Sequence, residues 1–458
     1  MCIFMTLGRL NRRRGASFDV MTAVTSAAFD LSQRIGEWAH AFTPSQTRMQ
    51  RIRTSVRDFI GCVVAGTRRA ELQPALRLAQ GGSVSVWGLT DSFDPAGAAL
   101  VTGTAGALLQ LQDVYRPGGS HPSSPVIAAA WSALQVSAGV PAEVFLHAVA
   151  AGYEAANRIA DACMPAQLLA GSSPTGTAGC IGAAVAAAKI RGLDRHGIAR
   201  AVANAAFLLP ATPFASMRAH GALAPLHGGL AARAGYEAAS LARDASAGRR
   251  LLEGDSGGPG LIALLGGRVS LLEPELWHGE TIDAVCWKFF PACFASHTAI
   301  EALLSLGHID STQVERVVVR RPAGLLDATV AAGPRQGGLY DRLMSIRWSL
   351  ARALELGHYE YPEAIADEPS TLALARKIEL IHDPELDAQS PGSVAATIEV
   401  HVSRGVRRIE YRRPAGSDPE IHRGWTAKLD EAALNRKFEQ LIGRESMAPA
   451  TFAQLNIL

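Results

Sequence analysis

The stretch "DVYRPGGSHPSSP", residues 113–125, gathers Asp113, Tyr115, Arg116 and His121 within nine residues, four side chains able to handle protons or charge. Pro117, Gly118, Gly119, Pro122 and Pro125 are costly inside a helix, so the stretch reads as a loop between helices. Ionisable groups held in such a loop by rigid neighbours are a common seat of chemistry. His121 suits a general acid or base, and Asp113 suits a partner that orients its imidazole or takes a proton itself. Arg116 suits a forked contact to a carboxylate. The plainer alternatives are a connector whose His121 faces water, an Asp113 that caps a helix, and a surface arginine.

Two further stretches carry chemistry-bearing types. "FASMRAHGALAPLHGG", residues 214–229, supplies Arg218, His220 and His227 in a loop that leads into a helix whose start would itself favour an anion. Solvated loop residues are the equally weighted alternative for Arg218 and His220. In "WKFFPACFASHTAIEA", a helix is expected to open at Ser296, with His297 at its start and its pKa depressed there. Lys288 is a cation for a carboxylate, or a side chain snorkelling from an apolar strand. Cys293 reads as packing rather than as a nucleophile, since no histidine can be paired with it from sequence.

The elements that must hold these residues are mostly helical. Leu31, Ile35, Trp38 and Phe42 recur at helix-face spacing, as do Val56, Phe59, Ile60, Val63 and Val64. "AALVTGTAGALLQLQD", "SSPVIAAAWSALQVSAG", "AEVFLHAVAAGYEAANRIADA" and "TAGCIGAAVAAAKIRG" follow as helices with Ala- and Gly-rich faces, which lets their axes approach closely. No GxGxxG follows a strand, so no nucleotide fingerprint is present. After about Leu276 the character changes: "VERVVVRR" is strand-like, and the segment Val394–Arg413 alternates on both sides of Ser403, Arg404 and Gly405, as a hairpin does. The expected fold is mainly α: a large all-helical domain at 21–275, a smaller α+β lid domain at 276–420, and a C-terminal helical segment at 421–458 returning to the helical domain. Residues 1–20 read as a disordered basic extension, with Met1 or Met21 as the start.

Bulk properties set the bounds. A length of 458 residues suggests more than one domain. Lys+Arg at 44 against Asp+Glu at 42 gives no basic surface for nucleic acid. No apolar run reaches the roughly 20 residues needed to span a bilayer. The six cysteines show no CxxC pairing and no zinc-like spacing, so reduced thiols and a cytoplasmic location are expected, with no metal site.

Seven ordered segments, "ALVTGTAGALLQLQD", "SHPSSPVIAAAWSA", "AGYEAANRIA", "PTGTAGCIGAAVAAAKIRGL", "PLHGGLAARAGYEAASLA", "WKFFPACFASHTAIEALLSL" and "LNRKFEQLI", make nearly the whole chain resemble the MmgE/PrpD family, which includes 2-methylcitrate dehydratase, cis-aconitate decarboxylase and iminodisuccinate epimerase. The resemblance implies a helical domain with an α+β lid, a homodimer, and chemistry that needs no cofactor. Of the family's paired aspartates, Gln112 and Asp113 stand in place, so one carboxylate survives. His121 and His297 match family histidines, and His227 matches the histidine of "PLH". Ser173 stands where a histidine is expected and Ala224 where a lysine is expected, which puts the reaction, rather than the fold, in question.

The resulting expectation is a cofactor-independent lyase or isomerase acting by acid–base chemistry beside a carboxylate or carbonyl of a small organic acid: dehydration, decarboxylation or epimerisation. His121, Asp113, His220 and His297 are the catalytic candidates; Tyr115, Arg116, Ser173, Arg218, His227 and Lys288 are the substrate-binding ones. The alternative is a non-catalytic homologue that binds a metabolite.

Overall fold

Short polar starts and small-residue faces set the helices of the larger part. Asp94 accepts a hydrogen bond from the Gly97 N–H ahead of Pro95, and Asp194 does the same for Gly197, so both helices begin at a capping aspartate. In the computed structural model the described residues are 30–213, 223–273, 275, 277, 280–323, 338–366, 369–387, 395–403, 405–411 and 431–443. The basic extension expected at 1–20, and Arg218 and His220, lie outside them.

Eight longer helices form this part among the described residues: α1 (Leu31–Ala41), α2 (Gln46–Thr67), α3 (Pro95–Leu108), α4 (Ser123–Gln135), α5 (Ala142–Cys163), α6 (Pro174–Ile190), α7 (Arg195–Leu208) and α8 (Leu226–Leu241). Every residue of α6 except Lys189 is buried, as expected of a helix apolar all round. It lies at the centre, packed by α4, α5, α7 and α8. Close approach is literal where α3 crosses α8. A Cβ built on Gly229 would stand 2.2 Å from the Leu100 carbonyl oxygen and 2.2 Å from Thr104 Oγ1, and one on Gly103 would stand 2.8 Å from the Gly229 Cα. The mainly helical character expected from sequence is therefore observed.

Beyond Thr281 the chain adds a four-stranded sheet. A two-stranded ladder first joins the two parts: β1 (Val114–Tyr115) pairs antiparallel with β2 (Val285–Cys286). The loop expected between the helices on either side of residues 114–122 thus contains a short strand. The sheet consists of β3 (Val314–Arg321), β4 (Ile378–His382), β5 (Ala396–Val402) and β6 (Gly405–Tyr411), in the order β6-β5-β3-β4. β3 runs parallel to β4 and antiparallel to β5, and β5–β6 is the expected hairpin, with Val402 opposite Gly405. Helices α9 (His297–Ser305) and α10 (Ile346–Leu356) pack on it around Val317, Val319, Ile300, Leu350 and Ile398.

The last described helix, α11 (Glu431–Ile442), returns to α2, where Phe438 and Leu441 face Gly61. Its Lys437 Nζ lies 2.6 Å from Asp58 Oδ1, both residues buried, and donates at 2.9 Å to the Leu111 carbonyl. From Leu31 onward these elements form one compact unit. Among the described residues no helix is long and apolar enough to cross a membrane.

The α3–α8 crossing leaves no room for a side chain. Gly229→Ala is expected to lower stability by about 1–3 kcal/mol, read as a drop in the urea midpoint with the slope unchanged. A midpoint equal to wild type would show that the two helices can separate at no cost.

Candidate active site

Asp113 anchors the site. It is 1% exposed; its Oδ1 accepts from the Ser123 N–H at 3.2 Å, at the start of α4, and its Oδ2 accepts from the Tyr153 hydroxyl at 2.7 Å. The capping alternative weighed from sequence is therefore met by this carboxyl group. Burial pushes its pKa up to about 6, against the opposing pull of the bonds from Ser123 and Tyr153. Tyr153 is raised well above the usual phenol range by its own burial and by the facing carboxylate, so it stays a donor.

The Asp113 carboxyl does not orient His121 as the sequence suggested. The Asp113 backbone carbonyl does, 2.7 Å from His121 Nδ1. That carbonyl can only accept, so Nδ1 carries the proton and Nε2 keeps its lone pair. The His121 N–H donates to Thr175 Oγ1 at 3.0 Å, tying the histidine to the first turn of α6. Burial, helped by the Lys288 charge and His227, drives the imidazolium down to about 3, so at neutral pH His121 is a neutral acceptor. It remains half-buried and keeps contact with solvent.

Lys288 lies opposite. It is wholly buried rather than snorkelling: Nζ donates to the Ala292 carbonyl at 3.2 Å and reaches Gln110 Oε1 at 3.5 Å, and among the described residues no carboxylate pairs with it. Desolvation lowers its pKa to about 8. Gln110 has φ 53, in the left-handed region, and its Nε2 donates to the Tyr340 hydroxyl at 3.2 Å. This backbone turn ends α3 and swings residues 111–113 inward.

The other histidines are also held neutral. His227 Nδ1 lies 2.8 Å from the Ala224 carbonyl, and burial lowers its pKa. Ala224 itself, standing where the lysine was expected, packs with Tyr340 and Met344 beside Cys293. His297 opens α9 with Phe290 and Phe294 each 5.3 Å from its ring, and its Nε2 is buried without a partner. Its pKa is well below the ordinary value, as expected from sequence, but the leading cause is desolvation, followed by the Lys288 charge. Arg116 lies 5.9 Å over the Phe294 ring, and Val114 packs with Phe294 and Cys286, which joins the 113–116 strand to the turn before α9. Tyr115 is buried in the β1–β2 ladder and bonds Ser120 through its backbone.

Ser173 is buried at the N-cap of α6, where its carbonyl accepts from Gly176 and Thr177 and its side chain makes no capping bond. The contact to the His121 backbone comes instead from Thr175, two residues on. Asp113, His121, His227, Lys288, His297, Arg116 and Tyr115 are thus drawn together, with Ser173 at the edge. Gln110, Tyr153, Thr175 and Tyr340 escaped sequence reasoning. Tyr153 lies inside a quoted family segment, but its type alone gives no hint that it faces a carboxyl forty positions earlier.

A histidine whose Nε2 keeps its lone pair, a desolvated lysine and a buried carboxyl are groups able to move protons beside a developing negative charge. The MmgE/PrpD N-terminal domain model matches residues 33–266 and the C-terminal domain model matches 290–449. The chain therefore belongs to the MmgE/PrpD family, as its motifs indicated; members are typically lyases such as dehydratases. No curated protein matches the chain. Among the described residues no three His, Cys, Asp or Glu side chains cluster as metal ligands do.

The raised Asp113 pKa has a stability consequence. Unfolded, the carboxyl titrates at its model-peptide value near 4; folded, near 6. Ionisation hence costs the folded state increasingly from about pH 4 to 6, and the cost is complete above that, roughly 3 kcal/mol. Asp113→Asn is expected to raise the melting temperature at pH 7.5 and leave it unchanged at pH 3.5, read by calorimetry. A destabilised variant at pH 7.5 would show instead that the ionised carboxylate supports the fold.

Proposed function

We propose that the protein is a lyase or isomerase that works by acid–base chemistry beside a carboxylate or carbonyl of a small organic acid, with His121 as the base. The observation that carries this is the 2.7 Å bond from His121 Nδ1 to the Asp113 carbonyl, which leaves Nε2 as a free lone pair on a half-buried ring. Family membership supports a dehydratase-type or related reaction.

In this reading His121 Nε2 takes a proton from a carbon next to the acid group. The electron pair left behind delocalises onto the substrate's carbonyl or carboxylate oxygen, where the Lys288 ammonium and the neighbouring donors stabilise it. In a dehydration the β-hydroxyl takes the proton held by His121 and leaves as water; in an epimerisation water protonates the opposite face and His121 gives its own proton back to solvent. In a decarboxylation the carbon–carboxylate bond breaks instead, CO2 leaves, and the electron pair left on carbon takes a proton from water. Asp113 acts through its carbonyl and through Tyr153, since its carboxyl is enclosed and bonded at both oxygens. A homodimer in the cytoplasm, with no cofactor, completes the proposal.

The test is hydrogen–deuterium exchange in D2O, followed by NMR, across a panel of small di- and tricarboxylates and amino-acid-derived acids. Deuterium entering a carbon, or release of water or CO2, is expected with wild type. The rate should fall at least about a hundredfold in His121→Ala. Turnover unaffected by that substitution would remove His121 as the base, and ligands that bind without any exchange or release would favour a metabolite-binding homologue. With an active substrate, the rate should fall above about pH 8 as Lys288 loses its proton. Any step near pH 6 should vanish in Asp113→Asn. A step there that survives the substitution would belong to an ordinary histidine, against the assignment of His121 as neutral down to about 3.

A further inference from the structure

The turn at the start of α9 holds an unusual number of unmet hydrogen-bonding groups. Ser296 Oγ, His297 Nε2 and Thr298 Oγ1 are all buried and have no partner, and Ser296 makes no capping bond to its own helix. The backbone here is already satisfied, the Ser296 N–H by the Cys293 carbonyl and the His297 N–H by the Phe294 carbonyl, so the unmet groups are side-chain atoms. From the end of β3, Arg321 reaches the same turn. It is fully buried, and its Nη2 donates to the Ala295 carbonyl, while its Nε and Nη1 have no partner. Arg116 arrives from the helical part onto Phe294, one residue before Ala295.

A buried guanidinium with two unused N–H sites, close to a second guanidinium, costs several kcal/mol unless an anion shares the space. No carboxylate pairs with Arg321 among the described residues: burial holds its pKa down to about 10, the nearby Cys293 thiol opposes that, and the Arg116 charge adds to it. Side-chain hydroxyls and a planar guanidinium together suit a planar oxyanion.

We propose that Ser296, Thr298 and Arg321 form a seat for a carboxylate group of the substrate, on the sheet side of the site and next to His297. The identity of that ligand as substrate rests on the acid–base reading above; the seat itself does not. Arg321 fixes which end of an acid enters, and so acts as a specificity-determining residue. A neutral amide or ester of the same shape would leave its N–H groups and the two hydroxyls poorly matched.

Malonate, malonamide and inorganic phosphate serve as probes, titrated calorimetrically into the full-length protein and its Arg321→Met, Arg321→Lys and Thr298→Val variants. Saturable malonate binding is expected with wild type and none with malonamide. Arg321→Met should weaken malonate roughly tenfold or more, Arg321→Lys should restore part of it, and Thr298→Val, a same-shape change that keeps the guanidinium, should weaken it severalfold. Malonate binding equal in wild type, Arg321→Met and Thr298→Val would overturn the seat, as would no binding to wild type at all. Phosphate bound at these residues more tightly than malonate would overturn the carboxylate assignment. If Arg321→Met fails to fold, Thr298→Val decides alone. Malonate binding that depends on Arg321 with no His121-dependent exchange would keep the seat and remove the acid–base reading; the reverse pattern would keep the reading and remove the seat.

Discussion

Burying the Asp113 carboxyl is the constraint on which the rest of the site depends. One residue caps α4 through Ser123, receives Tyr153 from α5, and fixes the His121 tautomer through its carbonyl. Desolvation lifts the carboxyl and depresses the imidazole, so the two are driven apart from their ordinary values in opposite directions. The same exclusion of water lowers Lys288, which brings an ammonium close to neutral and lets it answer a change in substrate charge. A site assembled at the surface would show none of these shifts.

Desolvation on this scale needs support from a distance. The left-handed turn at Gln110 and the Lys437 contact to the Leu111 carbonyl flank residues 111–113, the second contributed by a helix more than three hundred positions away in the chain. Lys437 is itself held by Asp58, so a buried ion pair stands behind the backbone that carries Asp113. Such a pair adds little net stability, because desolvating both charges offsets their attraction; its use here is to fix position. Gly103 and Gly229 serve the same end by letting α3 and α8 close on each other near the helix starts that bear the site.

The departures from the family's residues also fall into place physically. Ala224 is a packing residue whose carbonyl orients His227, so the position expected to hold a lysine now sets a histidine tautomer. Gln112, in place of a family aspartate, is fully buried with neither side-chain atom bonded. With a neutral amide there, no carboxylate adjoins Asp113 in the chain, and burial leads its shift, with a smaller like-charge push from Asp58. The candidate site is less charged than the family pattern implies, with Lys288 as its buried cation.

The order of helices, the hairpin of β5 and β6 and the candidate residues Asp113, His121, His227, Lys288 and His297 were all legible in the sequence. Periodicity, capping residues and the ordered motifs are local properties, and local properties survive being read along the chain. What the tertiary structure decided is which atom of each residue is bonded and which is left free. That the Asp113 carbonyl, not its carboxyl, orients His121 depends on a backbone direction set by Gln110 and Ser123. That Tyr153, Thr175, Tyr340 and Lys437 stand around the candidate site depends on contacts between helices and strands far apart in the chain. Residue type states what a group can do; only burial and its partners settle its protonation, because those energies arise from water removed by neighbours that the sequence does not place.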